Sequence, residues 1–336
     1  MTAEIADSRC ETLYRDRAVL VTGGLGFLGT NLALMLASLG ARVSVVDSLV
    51  PEGGANRVHQ DELADIAHVE VGDLRGEGRL ARLVSGSDVV FHLAARTSHL
   101  DSMHSPLADL ESNVAGTLEV LEACRRHAPN VRLVFTSTRQ VYGPPRQIPV
   151  DETHPLDPVD VNAVHKLAAE QHLRLYARVY GLAVCILRLT NVVGPRMRIR
   201  DARQSFLGDW IRRLRQHEPI EVWGGAQRRD LLDVDDAVAA LLLAGSHRAA
   251  VGQIFNAGHA DPIRLDDLAG QLIDRNGSGA WIRREFPAER SRIDIGSFAT
   301  DSTRLREQLG WVPRIPLDRT LDRTLAYYRR KGNDYV

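Results

Sequence analysis

Gly23, Gly26 and Gly29 stand three residues apart, after the apolar run Ala18–Val21 and before Asn31–Leu39, whose apolar residues recur at helical spacing. A strand, a tight turn and a helix in that order can hold phosphate. Gly23 permits the turn, Gly26 lets the backbone approach a pyrophosphate, and Gly29 lets helix and strand pack closely, while the first helical turn offers unpaired N–H groups. A second apolar strand, Val43–Val46, ends in Asp47 about 20 residues on, where a carboxylate bonds ribose hydroxyls. That carboxylate would repel a 2′-phosphate, so the expected ligand is NAD rather than NADP.

Asp73, followed by Leu74, comes just past the short strand Val69–Val71. It is placed either to meet the adenine amino group or to cap the next helix. Val89–Ala95 reads as a strand running into small residues, and Ala94 and Ala95 let the backbone come close to the cofactor. His92, inside that apolar run, is expected to be a hydrogen-bonded core histidine. Val131–Phe135 opens into Thr136-Ser137-Thr138-Arg139-Gln140-Val141-Tyr142-Gly143, and a helix starting near Val161 carries Asn162, His165 and Lys166.

The elements that must position these residues alternate strand and helix from Ala18 to Leu189, which requires a Rossmann-type α/β fold with a doubly wound parallel sheet. After Met197 the alternation breaks, and a smaller C-terminal α/β domain for the substrate is expected. The division expected is a cofactor domain of residues 17–190 plus about 229–257, and a substrate domain of residues 191–228 and 258–331. Met1–Asp16 reads as a loosely held leader, and Asp109–His127 as one helix. With 336 residues the chain can bury a sizeable core. A net charge of −1 with 25% charged residues gives no nucleic-acid surface and no membrane patch, so the partner is expected to be small. Cys10, Cys124 and Cys185 are scattered and lack metal spacing. No metal is expected. The start of the chain lacks the apolar core of a signal peptide and no run reaches the length of a membrane span, so a cytoplasmic protein is expected.

Together these residues resemble the extended short-chain dehydrogenases/reductases, the NAD-dependent nucleotide-sugar epimerases and dehydratases, over nearly the whole chain. The resemblance is carried by Thr22–Gly29, His92–Ala95, Thr136-Ser137-Thr138 before Val141-Tyr142-Gly143, Lys166–Glu170, Arg188–Pro195, Arg229-Asp230 and Leu309-Gly310-Trp311. It implies NAD bound along Gly23, Gly26, Phe27, Leu28 and Asp47, then Asp73, Leu74, Leu93, Ala94, Ala95 and Lys166. It implies a nucleotide-diphosphate sugar as substrate, with Thr138 on the reacting sugar oxygen and Lys166 holding the nicotinamide ribose and supplying positive charge. Asn191, Arg229 and Arg292 match diphosphate-binding positions, a role that suits guanidinium forks. A homodimer is implied, through the final helix and the Leu118–Leu121 face. Phe206, Trp210 and Trp223 are either core or a stacking surface for a nucleobase.

Two positions depart from the family pattern. The catalytic tyrosine belongs four residues before the lysine, and Asn162 stands there. An amide neither takes nor gives a proton near neutral pH. The candidate replacements are His165, Tyr142, or a base on another loop such as His99 or Asp101. Thr138 is followed by Arg139 and Gln140 instead of the carboxylates of the family's dehydratases and decarboxylases, which disfavours both reactions. The expected activity is therefore epimerisation through a transient keto-sugar, with Thr138, Lys166, Asn162 and His165 as the catalytic set. A nucleotide-sugar dehydrogenase and a non-catalytic NAD and nucleotide-sugar binder are the alternatives.

Overall fold

A computed structural model of the chain describes residues 12–50, 53–75 and 78–335. Cys10 lies outside them, as does most of the expected leader. Seven strands make one parallel sheet: β1 (Ala18–Thr22), β2 (Arg42–Asp47), β3 (Ala67–Val71), β4 (Val89–His92), β5 (Arg132–Thr138), β6 (Ala183–Leu189) and β7 (Gln253–Ala257). Their spatial order is β3-β2-β1-β4-β5-β6-β7. Winding reverses between β1 and β4, so the carboxyl ends of those two strands open the crevice in which sheets of this type bind ligands.

The strands are almost continuously apolar because helices cover both faces of the sheet. Alternate residues divide between two cores. Val19, Val21, Val45 and Phe91 pack with the helices Phe27–Ser38 and Val234–Ser246 on one side. Leu20, Val46, Val90 and Leu133 pack with Gly116–His127 and Val161–Tyr180 on the other. A third core, with Trp210, Leu268, Leu325 and Tyr328 among its members, is drawn from the later part of the chain. Cys124 and Cys185 are buried free thiols, each pushed up to about 12 by burial.

Several expectations need correction. The leader is anchored at its end, since Tyr14 is buried and its hydroxyl donates to the Leu242 carbonyl at 2.7 Å. The single helix expected over Asp109–His127 is instead part of a broken run. Short helices His99–His104 and Pro106–Leu110 precede a π-type turn, Glu111–Ala115, before the helix Gly116–His127 begins. Pro106 forces the first break, because it has no N–H to donate and sits at a helix start. The helix that carries Leu118 and Leu121 and the last helix each turn one apolar face into the protein. Leu121 is buried against the sheet, and Leu321, Leu325 and Tyr328 of the last helix fill the third core. The strands Ile263–Arg264 and Trp281–Arg284 and the helix Ala288–Ser291 are too short to carry a periodicity that could announce them. No helix among the described residues is long and apolar enough to cross a membrane.

Candidate active site

A cavity of about 440 Å³ opens at the crevice. Its floor is the glycine turn, where Gly23 has φ +69° and a Cβ would stand 2.6 Å from the Ala94 nitrogen. The helix Phe27–Ser38 starts at Gly26 with no side-chain cap and no acidic residue in its first turn. Its N–H groups and positive end are therefore free to meet a pyrophosphate. Phe27, Leu28, Leu74, Leu93, Ala94 and Ala95 continue the lining. Asp47 lies there too, its oxygens accepting from the N–H groups of Leu25 (3.1 Å) and Leu49 (2.9 Å). Burial raises its pKa against the pull of those bonds. Asp73 lines the cavity but does not cap the next helix, which starts at Gly78. Its carboxylate is held by Arg75 at 2.7 Å, and that contact lowers its pKa. The cradle fits NAD, whose diphosphate would meet Gly26 and Phe27 and whose ribose would meet Asp47.

Thr138, Asn162 and Lys166 also line the cavity. Lys166 is buried, donates to the Thr136 carbonyl at 3.0 Å and stands 4.6 Å from the Phe135 ring centroid. Burial brings its ammonium down to about 8, while the charges of Asp109 and Glu170 oppose the shift. Asn162 turns its amide nitrogen between two acceptors, the Arg96 carbonyl (2.7 Å) and Asp109 Oδ2 (3.0 Å). Both amide protons are thereby used, and no described residue donates to its Oδ1. This leaves position 162 able to accept a hydrogen bond from a ligand hydroxyl but unable to move a proton. His165 donates from Nδ1 to Asp109 Oδ1 at 2.7 Å and does not line the cavity.

The other candidate bases separate sharply. Tyr142 is buried away from the cavity, accepting from Arg188 at 2.9 Å and donating to Asn256 Oδ1 at 2.7 Å, and burial pushes its phenol up to about 12. Asp101 does not line the cavity. His99 does, and its Nδ1 lies 3.0 Å from Oδ1 of the fully buried Asp160. Burial raises the Asp160 pKa, but its bonds to His99, Ala163 N–H and Gln140 outweigh this and keep it below the usual range. An ionised carboxylate fixes the proton on Nδ1 and leaves the lone pair on Nε2, which no described residue bonds. His92 is a core histidine as expected, bonded to Thr22 (2.7 Å) and Thr117 (3.1 Å) and lowered to about 3 by burial and by Lys166.

On the substrate side Asn191 lines the cavity, whereas Arg229 and Arg292 do not. Arg229 is turned to Asp294 and the Gly296 carbonyl, and Arg292 is exposed. Trp210 and Phe206 pack together at 5.1 Å, and Trp223 is covered by Arg290. These aromatics are thus occupied within the protein.

Residues 19–258 match the model of the NAD-dependent epimerase/dehydratase family. The chain belongs to that family. It is 31% identical over 317 residues to a UDP-glucose 4-epimerase of Mycolicibacterium smegmatis, covering 93% of this chain and 99% of that one. It is equally 31% identical over 335 residues to a dTDP-glucose 4,6-dehydratase of the same organism, covering 93% of each. The UDP-glucose 4-epimerase of Thermus thermophilus, solved with NAD, superposes with a TM-score of 0.82 at 27% identity, covering 93% of this chain and 98% of that one. The protein is an NAD-dependent enzyme of this nucleotide-sugar epimerase and dehydratase group. Equal identity to an epimerase and a dehydratase means that overall likeness does not choose the reaction, and the site residues must.

For a member of this family, the positions not anticipated from sequence are Asp109 and Asp160. Asp160 carries a helix N-cap signal, and its side chain accepts from Ala163 N–H at 2.8 Å. That signal marks where a helix begins but not which histidine joins it. Asp109 sits on a segment that reads as ordinary helix, and nothing in its local sequence announces the three donors that converge on it: Asn113, Asn162 and His165.

Proposed function

We propose that this family member is a nucleotide-sugar epimerase that works through a transient keto-sugar, with His99 in place of the tyrosine as the proton acceptor. The observation that carries the reading is that His99, held at Nδ1 by the buried Asp160, lines the same cavity as Thr138 and Lys166. A histidine whose Nδ1–H is fixed by a buried carboxylate presents a basic Nε2, the arrangement general-base catalysis requires. NAD, when bound, accepts a hydride from the sugar carbon and returns it. The chain's own residues do the rest. Thr138 orients the sugar hydroxyl, His99 Nε2 takes its proton as the carbonyl forms and gives it back when the carbonyl is reduced, and Lys166 stabilises the negative charge developing on that oxygen. Asn162 Oδ1 accepts from a neighbouring hydroxyl. The side chains after Thr138 belong to Arg139 and Gln140, so no carboxylate there serves the elimination of water.

The test is to incubate the protein and NAD with UDP-glucose, UDP-N-acetylglucosamine and UDP-glucuronic acid in deuterated water and to follow the sugars by proton NMR. An epimer that keeps protium at the inverted carbon supports direct hydride return. Deuterium at that carbon points instead to proton exchange beside a ketone, a dehydrated product sinks the proposal, and binding without product or reduced nicotinamide favours a non-catalytic binder.

A further inference from the structure

Ser137, Arg139 and Gln140 flank Thr138, and each buries a polar atom that no described residue bonds: Ser137 Oγ, one terminal guanidinium nitrogen of Arg139, and Gln140 Oε1. All three residues line the cavity. An orphaned buried donor or acceptor is costly, and three of them on residues that line one cavity mark a place where a polar ligand completes the bonding.

Arg139 determines the charge of that ligand. Its other terminal nitrogen donates to Asn191 Oδ1 at 3.2 Å, and its guanidinium stacks on Phe298 at 5.1 Å. It is only 9% exposed and makes no ion pair with a described residue. The carboxylates that act on it from a distance are committed elsewhere: Asp230 to Thr190 and the Thr300 N–H, Asp294 to Arg229. Burial, with repulsion from Arg229, pulls the guanidinium down to about 10 despite those two acids. A cation removed from water and faced only by a neutral amide and a ring is destabilised until an anion joins it. The planar fork suits a carboxylate, which can take two parallel bonds.

We infer that Arg139 receives a carboxylate carried by the sugar, so that the site takes nucleotide-activated acidic sugars in preference to neutral hexoses. The inference rests on the proposed role of Thr138, because Arg139 lines the same cavity as the residue proposed to hold the reacting sugar. Gln140 Oε1 and Ser137 Oγ then accept from sugar hydroxyls beside the carboxylate.

Calorimetric titration of the NAD-saturated protein with UDP-glucuronic acid, UDP-glucose and UDP tests this. The acidic sugar is expected to bind more tightly than UDP-glucose by roughly tenfold or more. Arg139→Gln should bring that ratio near unity, and Arg139→Lys should keep part of it. Equal affinity of the wild-type protein for both sugars overturns the inference and leaves the nucleotide-sugar reading standing. A loss in Arg139→Gln that is the same for UDP and for both sugars assigns the anion to the diphosphate and also overturns it. If none of the three ligands binds, the proposed function falls, and the inference with it. The wild-type comparison needs no variant, so a substitution that fails to fold does not remove the test.

Discussion

His165 Nδ1 lies 2.7 Å from Asp109 Oδ1, and that contact ties the imidazole next to Lys166 in sequence to a carboxylate that does not line the cavity. Asp109 is 1% exposed and also accepts from Asn113 and Asn162. His165 is therefore expected to act on stability rather than on chemistry. His165→Ala should retain turnover within an order of magnitude while costing about 1–3 kcal/mol in a urea titration, since it strips a donor from a buried acceptor. Loss of turnover in a folded variant would restore His165 as the base.

The opposite result is expected for His99. His99→Gln should lower turnover by about 10²–10⁴, with much less change in nucleotide-sugar affinity measured by calorimetry. Asp160→Asn should lower turnover too, because a neutral amide no longer dictates which ring nitrogen carries the proton. Full activity in His99→Gln would end its part in the mechanism.

Lys166 sets a pH limit. Its ammonium is charged below about 8, well under its ordinary 10.5. Raising the pH through 8 removes the positive charge that the developing oxyanion needs, so turnover should decline there. Stability should move the other way. Between pH 8 and 10.5 the unfolded chain holds this proton and the folded one does not, so the contribution of Lys166 favours folding more as pH rises. Parallel rate and circular dichroism profiles check it, and activity lost only in step with unfolding would contradict it.

Gly23→Ala should abolish NAD retention. A methyl group there would collide with the Ala94 nitrogen at 2.6 Å, on a backbone with positive φ. The clash is between main-chain segments that cannot step aside, so the fold should also lose about 1–3 kcal/mol. Fluorescence titration with NAD and a thermal melt read the two effects.

The cofactor half of the site is legible in the sequence because its residues act through local geometry. Gly23 and Gly26 form a turn, Asp47 ends a strand, and Ala94 and Ala95 follow one, so spacing along the chain already implies position in space. The substrate half is less so. Arg229 and Arg292 match family positions along the chain, yet their side chains follow local attractions, Asp294 and solvent respectively. His99 and Asp160 are 61 positions apart and meet only because the segment after β4 packs against the start of the helix Val161–Tyr180. Tyr142 shows the reverse case: a phenol close in sequence to Thr138 is held away from the cavity by Arg188, whose own partner, Glu170, is fully buried.

The wide turn at Glu111–Ala115, where the Gly116 N–H reaches back five residues to the Glu111 carbonyl, amounts to one surplus residue threaded into a helix. Such a turn takes up the extra residue without changing the faces of the helices on either side, so Asp109 keeps its bonds to Asn162 and His165. Excising a single residue at Glu111–Ala115 should therefore leave the polar cluster beside Lys166 in place, whereas the same deletion inside the regular helix Gly116–His127 would turn everything before it by about 100° and strand both amide and imidazole. The slack in one wide turn decides where the chain tolerates a lost codon.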